Sequence, residues 1–294
     1  MSLRPDRPLN ILSIQSWVAY GHVGNASAVF PLQRLGAEVW AVNTVQFSNH
    51  TGYGAWRGQV FPGELIQELV TGIEERGALA ACDAVLSGYM GAAEIGDAIL
   101  SAVGRVKAAN PAGLYCCDPV IGDVGRGVFV RPGIPDFMRD RALPAADILT
   151  PNQFELEWLT GRRINDLDSA KTAVAMLGAQ MAPGGPRCVL VTSLRLEDTP
   201  ADAMDMLVGE GGTFHRLRTP LLPVNVNGAG DAIAALFLFH RLRWGAASVA
   251  LSAAASSIYG ILRRTAEAGA REIQTVAGQE EFVTPSRVFR ASAC

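Results

Sequence analysis

No charge of one sign dominates this chain, and charge of either sign is scarce. Its 25 lysines and arginines stand against 28 aspartates and glutamates, a net −3, and charged residues fill only 18% of the 294 positions. Without a basic excess or a long Lys/Arg cluster, nucleic acid is a poor partner. Low charge beside 49% apolar residues argues against disorder and supplies a large core. Cysteine is sparse as well: Cys82, Cys116, Cys117, Cys188 and Cys294. An odd count without C-x-x-C spacing argues against a disulfide framework or a zinc site and suits a reduced, cytoplasmic compartment. The opening "MSLRPDRPLN" carries charges and prolines where a signal peptide would be apolar, and residues 1–8 read as a flexible N-terminus. One uncharged stretch, "GAASVALSAAASSIYGIL" at 245–262, approaches the length of a membrane span. Ala and Ser dominate it, however, and Ser248, Ser252 and Ser256 recur every four residues. A small-residue helix packed against a sheet is expected, with no membrane partner.

Several familiar catalytic signatures are missing too. No G-x-x-x-x-G-K-[ST] loop, G-x-S-x-G elbow, H-E-x-x-H pair or complete G-x-G-x-x-G occurs. A phosphate-handling enzyme would have to use another device. His22 and His50 have no partner at ligand spacing and read as loop histidines rather than metal ligands.

What is present is a steady alternation of short β-type runs with longer helical patterns. Strands are expected at 9–15, 37–47, 82–90, 113–121, 146–152 and 187–194. Helices fit 25–35, 62–77, 92–109, 153–160, 168–182, 230–243 and 246–263. "MDMLVGEGGTFHRLRTP" (204–220) reads as a hairpin turning at Gly211-Gly212. Such alternation predicts an α/β fold with a mainly parallel sheet and helices on both faces. No repeat or linker divides the chain, so one domain spanning 1–294 is expected. Cys116 and Cys117, adjacent in a strand, should face opposite sides of the sheet.

Ligands of such sheets bind at the carboxyl ends of the strands. The polar residues at those ends are Ser16, Thr51, Tyr89, Asp118, Thr150 with Asn152, Thr192 with Ser193, and Asp231. In "NVNGAGDAIAALFLF" (225–239), Gly228, Ala229 and Gly230 open an apolar helix whose first amides form an anion site. Asp231 beside them reads either as a base for an attacking alcohol or as a helix cap. In "TPNQFELEWL" (150–159), Asn152 and Glu155 read either as Mg²⁺ ligands, partly through water, or as a capping pair. "CDPVIGDVGRG" (117–127) places Asp118 before a glycine-spaced loop that either folds over a nucleotide or is a plain turn. Aromatic, hydroxyl and amide groups in 13–25 and 45–54 suit a flat heteroaromatic ring.

Together, "SIQSWVAYGHVGN", "NTVQFSNHTGYG", "LSGYMG", "CDPVIGD", "LTPNQFELEWLTG" and "VNGAGD" resemble, in order and spacing, the pyridoxal kinases of the ribokinase-like superfamily. The resemblance runs from about residue 9 to residue 240. It implies a three-layer α/β/α sandwich, ATP-dependent phosphorylation of the 5′-hydroxyl of pyridoxal, pyridoxine or pyridoxamine, and a homodimer. By position, Asp231 matches the general base and Gly228, Ala229 and Gly230 the anion hole. Ser16, Val23, Thr51 and Tyr89 match residues contacting the pyridine ring. Asp118 and Glu155 match the Mg²⁺–ATP neighbourhood, with Asn152 nearby. Thr150 and Thr192 match a nucleotide and monovalent-cation region, where K⁺ is the ion the resemblance suggests. Many relatives read G-T-G-D where this chain has Ala229. The rival readings are a hydroxymethylpyrimidine kinase, although those commonly carry cysteine where Asp231 stands, and a vitamer-binding protein without catalysis.

Overall fold

The structure, a computed structural model, describes residues 7–294. Asn10–Val18 (β1) leads through Asn25–Arg34 (α1) to Glu38–Phe47 (β2) and a short edge strand, Gly58–Val60 (β3). Gly63–Glu75 (α2), Ala84–Ser87 (β4), Ile95–Ala109 (α3) and Leu114–Cys117 (β5) continue the alternation. A hairpin of Gly122–Asp123 (β6) and Gly127–Val128 (β7) follows, then the short turns Ile134–Phe137 (α4) and Leu143–Ala145 (α5). Ile148–Leu149 (β8), Gln153–Thr160 (α6), Leu167–Gln180 (α7) and Cys188–Leu194 (β9) precede the pair Ala203–Glu210 (β10) and Thr213–Pro220 (β11). Ala229–Trp244 (α8), Ala247–Glu267 (α9), Glu280–Val283 (α10) and Ser292–Ala293 (β12) close the chain.

Ten strands form one sheet in the order β12-β11-β10-β9-β8-β5-β4-β1-β2-β3. From β2 to β9 the pairings β2–β1, β1–β4, β4–β5, β5–β8 and β8–β9 are all parallel, and the strands beyond them on either edge are antiparallel. Because β2 lies on one side of β1 and β4 on the other, the strand order reverses at β1, which opens a crevice at the carboxyl ends. Side chains alternate faces along each strand. Leu12, Ile14, Val85, Tyr115, Cys117, Val189 and Val191 enter one core with residues of α2, α3, α6 and α7. Leu9, Ile11, Leu86, Cys116, Cys188 and Leu190 enter the other with residues of α1, α8 and α9. The result is the expected α/β/α sandwich, with Cys116 and Cys117 on opposite faces.

Departures from the sequence reading have local causes. The strand expected at 146–152 shortens to Ile148–Leu149, since Pro151 brings no N–H to the ladder. Residues 134–145, with Pro135 and Pro144, coil into short helical turns around a π-helical stretch, Met138–Ala142. Gly211 and Gly212 both have positive φ, 57° and 79°, as the tight turn between β10 and β11 requires. The serine stripe of α9 is used as a docking rail: Ser256 and Ser252 hydroxyls accept the N–H groups of Phe289 and Ala291, at 2.9 and 3.0 Å. Among the described residues, no helix is long and apolar enough to cross a membrane. Of the N-terminal stretch read as flexible, residues 1–6 lie outside the described residues. Arg7 donates to both carboxylate oxygens of Asp83, at 3.0 and 2.8 Å.

Candidate active site

The strand ends bring Ser16, Val23, Thr51, Tyr89, Asp118, Thr150, Asn152, Glu155, Thr192, Gly228, Ala229, Gly230 and Asp231 around one cavity. Of the strand-end residues singled out from the sequence, Ser193 alone lies off this wall, lining the neighbouring cavity instead. The cavity sits at the carboxyl end of the parallel strands, with β1, β4, β5 and β9 contributing from below and α8 pointing in from one side.

The start of α8 explains its glycines separately. Gly228 holds the N-cap position at φ 89°, and a Cβ there would lie 1.8 Å from the His22 carbonyl oxygen. Only glycine fits. The Ser27 hydroxyl donates to the Gly228 carbonyl at 2.8 Å, tying α1 to this turn. Gly230 has open space in front of it, so its lack of a side chain leaves the first turn of α8 accessible. Asp231 is therefore not the cap; it stands inside the first turn, half-buried, on the cavity wall. Burial raises its pKa, against the pull of the Gly24 N–H and its own N–H. Behind it, Ala232 through Phe239 are all buried between neighbouring elements. That packing is what makes the carboxylate's position rigid.

Asp118 follows β5 and accepts from the Thr150 hydroxyl at 2.8 Å. Burial, and then the negative charge of Asp231, push its pKa up to about 7. Glu155 is fully engaged by main chain: Oε1 accepts from Ile121 and Gly122 N–H at 2.9 and 3.4 Å, and Oε2 from Asn152 N–H at 2.9 Å. Asn152 Oδ1 accepts in return from Glu155 N–H at 2.9 Å, completing a capping box. The capping arrangement left open by the sequence is thus present. It also does more than cap α6, because Ile121 and Gly122 belong to the segment that builds the β6–β7 hairpin. Burial and the charge of Asp118 hold the Glu155 pKa well above the usual carboxylate range, against these N–H groups. Among the described residues, no three His, Cys, Asp or Glu side chains are grouped to cage a metal ion. The glycine-spaced loop after Asp118 is neither shapeless nor remote: it forms the β6–β7 hairpin, from which Arg126 Nη1 reaches Asn227 Oδ1 at 3.2 Å and covers the Phe129 ring at 5.0 Å.

The opposite wall carries Ser16, Val23, Thr51 and Tyr89, joined by Val18, Phe47 and His50. Phe47 ends β2 and could have been read as part of the aromatic mixture in 45–54; Val18 had no signal beyond its strand. A second cavity of equal size, about 210 Å³ each, adjoins the first across Thr192, Asn225, Val226 and Ala229. It is bounded by Met204, Met206, Leu222, Ile258, Tyr259 and Leu262. Sequence reasoning missed this compartment, since its residues belong to a hairpin and a helix remote in the chain and have only apolar character. The whole site is therefore bipartite: a polar chamber lined by the carboxylates of Asp118, Asp123, Glu155 and Asp231, and an apolar annex.

The site thus joins a parallel-sheet crevice to a helix start with an acid inside its first turn. A family model described as "Phosphomethylpyrimidine kinase" matches residues 62–276. The chain is 68% identical to "Pyridoxal kinase PdxY" of Granulibacter bethesdensis, covering 97% of this chain and 100% of that protein. It is 56% identical to the protein of the same name from Deinococcus radiodurans, covering 99% and 98%. Its fold matches the structure of a pyridoxal kinase from Leishmania donovani in complex with ADP and pyridoxamine, with a TM-score of 0.87, 28% identity and coverage of 97% and 99%. The chain belongs to the pyridoxal kinases, within the wider family that the phosphomethylpyrimidine kinase model describes.

Proposed function

We propose that this chain transfers the γ-phosphoryl group of ATP to the 5′-hydroxyl of pyridoxal, and of pyridoxine and pyridoxamine, giving the 5′-phosphates. The observation that carries this reading is the position of Asp231: a carboxylate on the cavity wall, in the first turn of a helix whose free amides face the same space. Asp231 accepts the proton of the attacking alcohol, and the amides of Gly228, Ala229 and Gly230 stabilise the charge on the transferring phosphoryl group. Ala229 lacks a side-chain hydroxyl, so the main chain carries this duty. Ser16, Val23, Thr51 and Tyr89 hold the pyridine ring, with hydroxyls at its polar edges and Val23 against its face. Thr150, Asn152 and Thr192 line the way to the apolar annex, which takes the nucleotide base.

The acid cluster fits a divalent cation. The charge of Asp231 raises the proton affinity of Asp118, the charge of Asp118 raises that of Glu155, and burial raises all three. Mg²⁺ typically uses one or two carboxylates, with water and phosphate oxygens completing its shell. Asp118 is the carboxylate best suited to contact it, and Glu155, already holding three N–H groups, acts through water. Bound there, Mg²⁺ supplies charge neutralisation for the phosphates. K⁺ suits the Thr150 and Thr192 side, where hydroxyl and carbonyl oxygens are the available donors.

The test is direct. Purified protein is incubated with Mg–ATP and, separately, pyridoxal, pyridoxine, pyridoxamine and hydroxymethylpyrimidine, and products are identified by mass. Phosphorylated B6 vitamers are expected. Product from hydroxymethylpyrimidine alone would assign the chain to the rival kinase, and no product from any substrate would reduce it to a binding protein.

A further inference from the structure

One carboxylate outside the nucleotide machinery grips the ring-side wall of the cavity. Glu272 lies in the loop after α9 and is only 9% exposed. Its Oε1 accepts from the Tyr53 phenol at 2.7 Å and stands 3.1 Å from His50 Nε2, while Oε2 accepts from the His22 N–H at 3.2 Å. These three partners come from the two loops that carry Val23 and Thr51. The approach is tight enough to dictate a neighbour's identity: a Cβ on Gly21, at φ 92°, would fall 2.2 Å from Glu272 Oε2. Arg271 adds a second hold, its guanidinium 4.8 Å from the centre of the Tyr53 ring. Tyr53 in turn packs on His50 with ring centroids 4.6 Å apart.

A carboxylate only accepts hydrogen bonds, so His50 Nε2 must carry the proton in this contact. The contact fixes the orientation of the His50 ring, with Nε2 turned to Glu272 and Nδ1 turned away from it. That atom is buried and has no partner, although His50 lines the cavity. It is a polar atom waiting for a partner, and leaving it unmet is costly.

We propose that Glu272 is a positioning residue for ring recognition, fixing the 48–54 loop and the His50 ring so that His50 and Thr51 form a preset wall for the vitamer. This rests on the pyridoxal kinase reading. Preorganisation of this kind acts on substrate affinity more than on the chemical step.

Glu272→Gln keeps the volume but turns one of the two accepting atoms into a donor. The pyridoxal KM is expected to rise about tenfold, with the ATP KM and kcat changed less than about twofold. Tyr53→Phe, which removes a single bond to the same carboxylate, should raise the pyridoxal KM about threefold. Long-range ¹⁵N–¹H correlation of the His50 ring should show protonated Nε2 in the unaltered enzyme. The proposal is overturned by an Nε2 without a proton there, by an unchanged pyridoxal KM, or by parallel loss in both KM values and kcat, the pattern of a general structural role. If Glu272→Gln does not fold, Tyr53→Phe and the ring spectrum decide on the same terms. Absence of any vitamer phosphorylation by the unaltered enzyme would count against the functional reading, while the ring spectrum still judges the Glu272 contact.

Discussion

Two buried aspartates on this sheet have opposite fates. Asp205, on β10, is fully buried and pairs with Arg216 and Arg218, with Arg218 Nε at 2.7 Å and Arg216 also in contact. Burial alone would raise its pKa, but bonds from Arg218, Arg216 and Thr199 more than reverse this and leave it below the usual value. Asp118, at the end of β5, is nearly as buried, at 6% exposure, yet its near charged neighbour is another acid, and its pKa climbs to about 7. The first aspartate has its countercharge built in. The second has another acid in that place. Buried charge without a partner is costly, and it persists where function uses it.

The comparison can be broken at its functional end first. Asp231→Asn should lower turnover by about 10²–10⁴-fold while leaving vitamer binding nearly intact, the loss expected for a general base. Steady-state kinetics beside a binding titration distinguish this from a structural acid, for which both would fall. At the structural end, Arg216→Met removes one partner from Asp205 and leaves the carboxylate under-compensated. A loss of about 2 kcal/mol in unfolding free energy is expected, tempered by the remaining Arg218, and denaturant titration measures it.

The smallest effect sharpens the contrast by reversing its sign. Asp118 holds its proton up to about pH 7 when folded, against an ordinary value of 3.8. Between those values the folded state binds more protons than the unfolded one, so stability falls as pH rises through this window. Asp205 behaves oppositely: its contribution is present above the ordinary carboxylate range and is lost only as pH drops through its lowered value. Asp118→Asn should therefore raise the melting temperature by about 2 °C at pH 8 in the absence of nucleotide and metal, with a smaller rise at pH 5, while activity falls. A melting temperature unchanged at pH 8 would mean that the acid cluster is not strained, and the case for a cation there would lose its physical basis.

Much of this was legible along the chain. The α6 limits, Gln153–Thr160, coincide with the expected 153–160, because Pro151, Asn152 and Glu155 mark a start and Gly161 an end. The candidate residues converge on one cavity because they lie at strand ends or at the helix starts that face them, and parallel topology gathers those ends. Other features gave no local sign. The β6–β7 hairpin is too short for a periodicity to register. The double use of Glu155, in its own cap and on Ile121 and Gly122, could be seen only halfway from sequence.

The sequence by itself determined the layer architecture, the spans of the long helices and the choice of residues for the cavity, since all three follow from spacing within a few turns or a single strand. Tertiary structure decided which charges met. Only the folded chain puts Glu272 against His22, 250 positions away, sets Asp231 beside Asp118, and joins a hairpin to α9 as an apolar annex. Those outcomes depend on how crossover connections stack the layers, and no local pattern of residues records that.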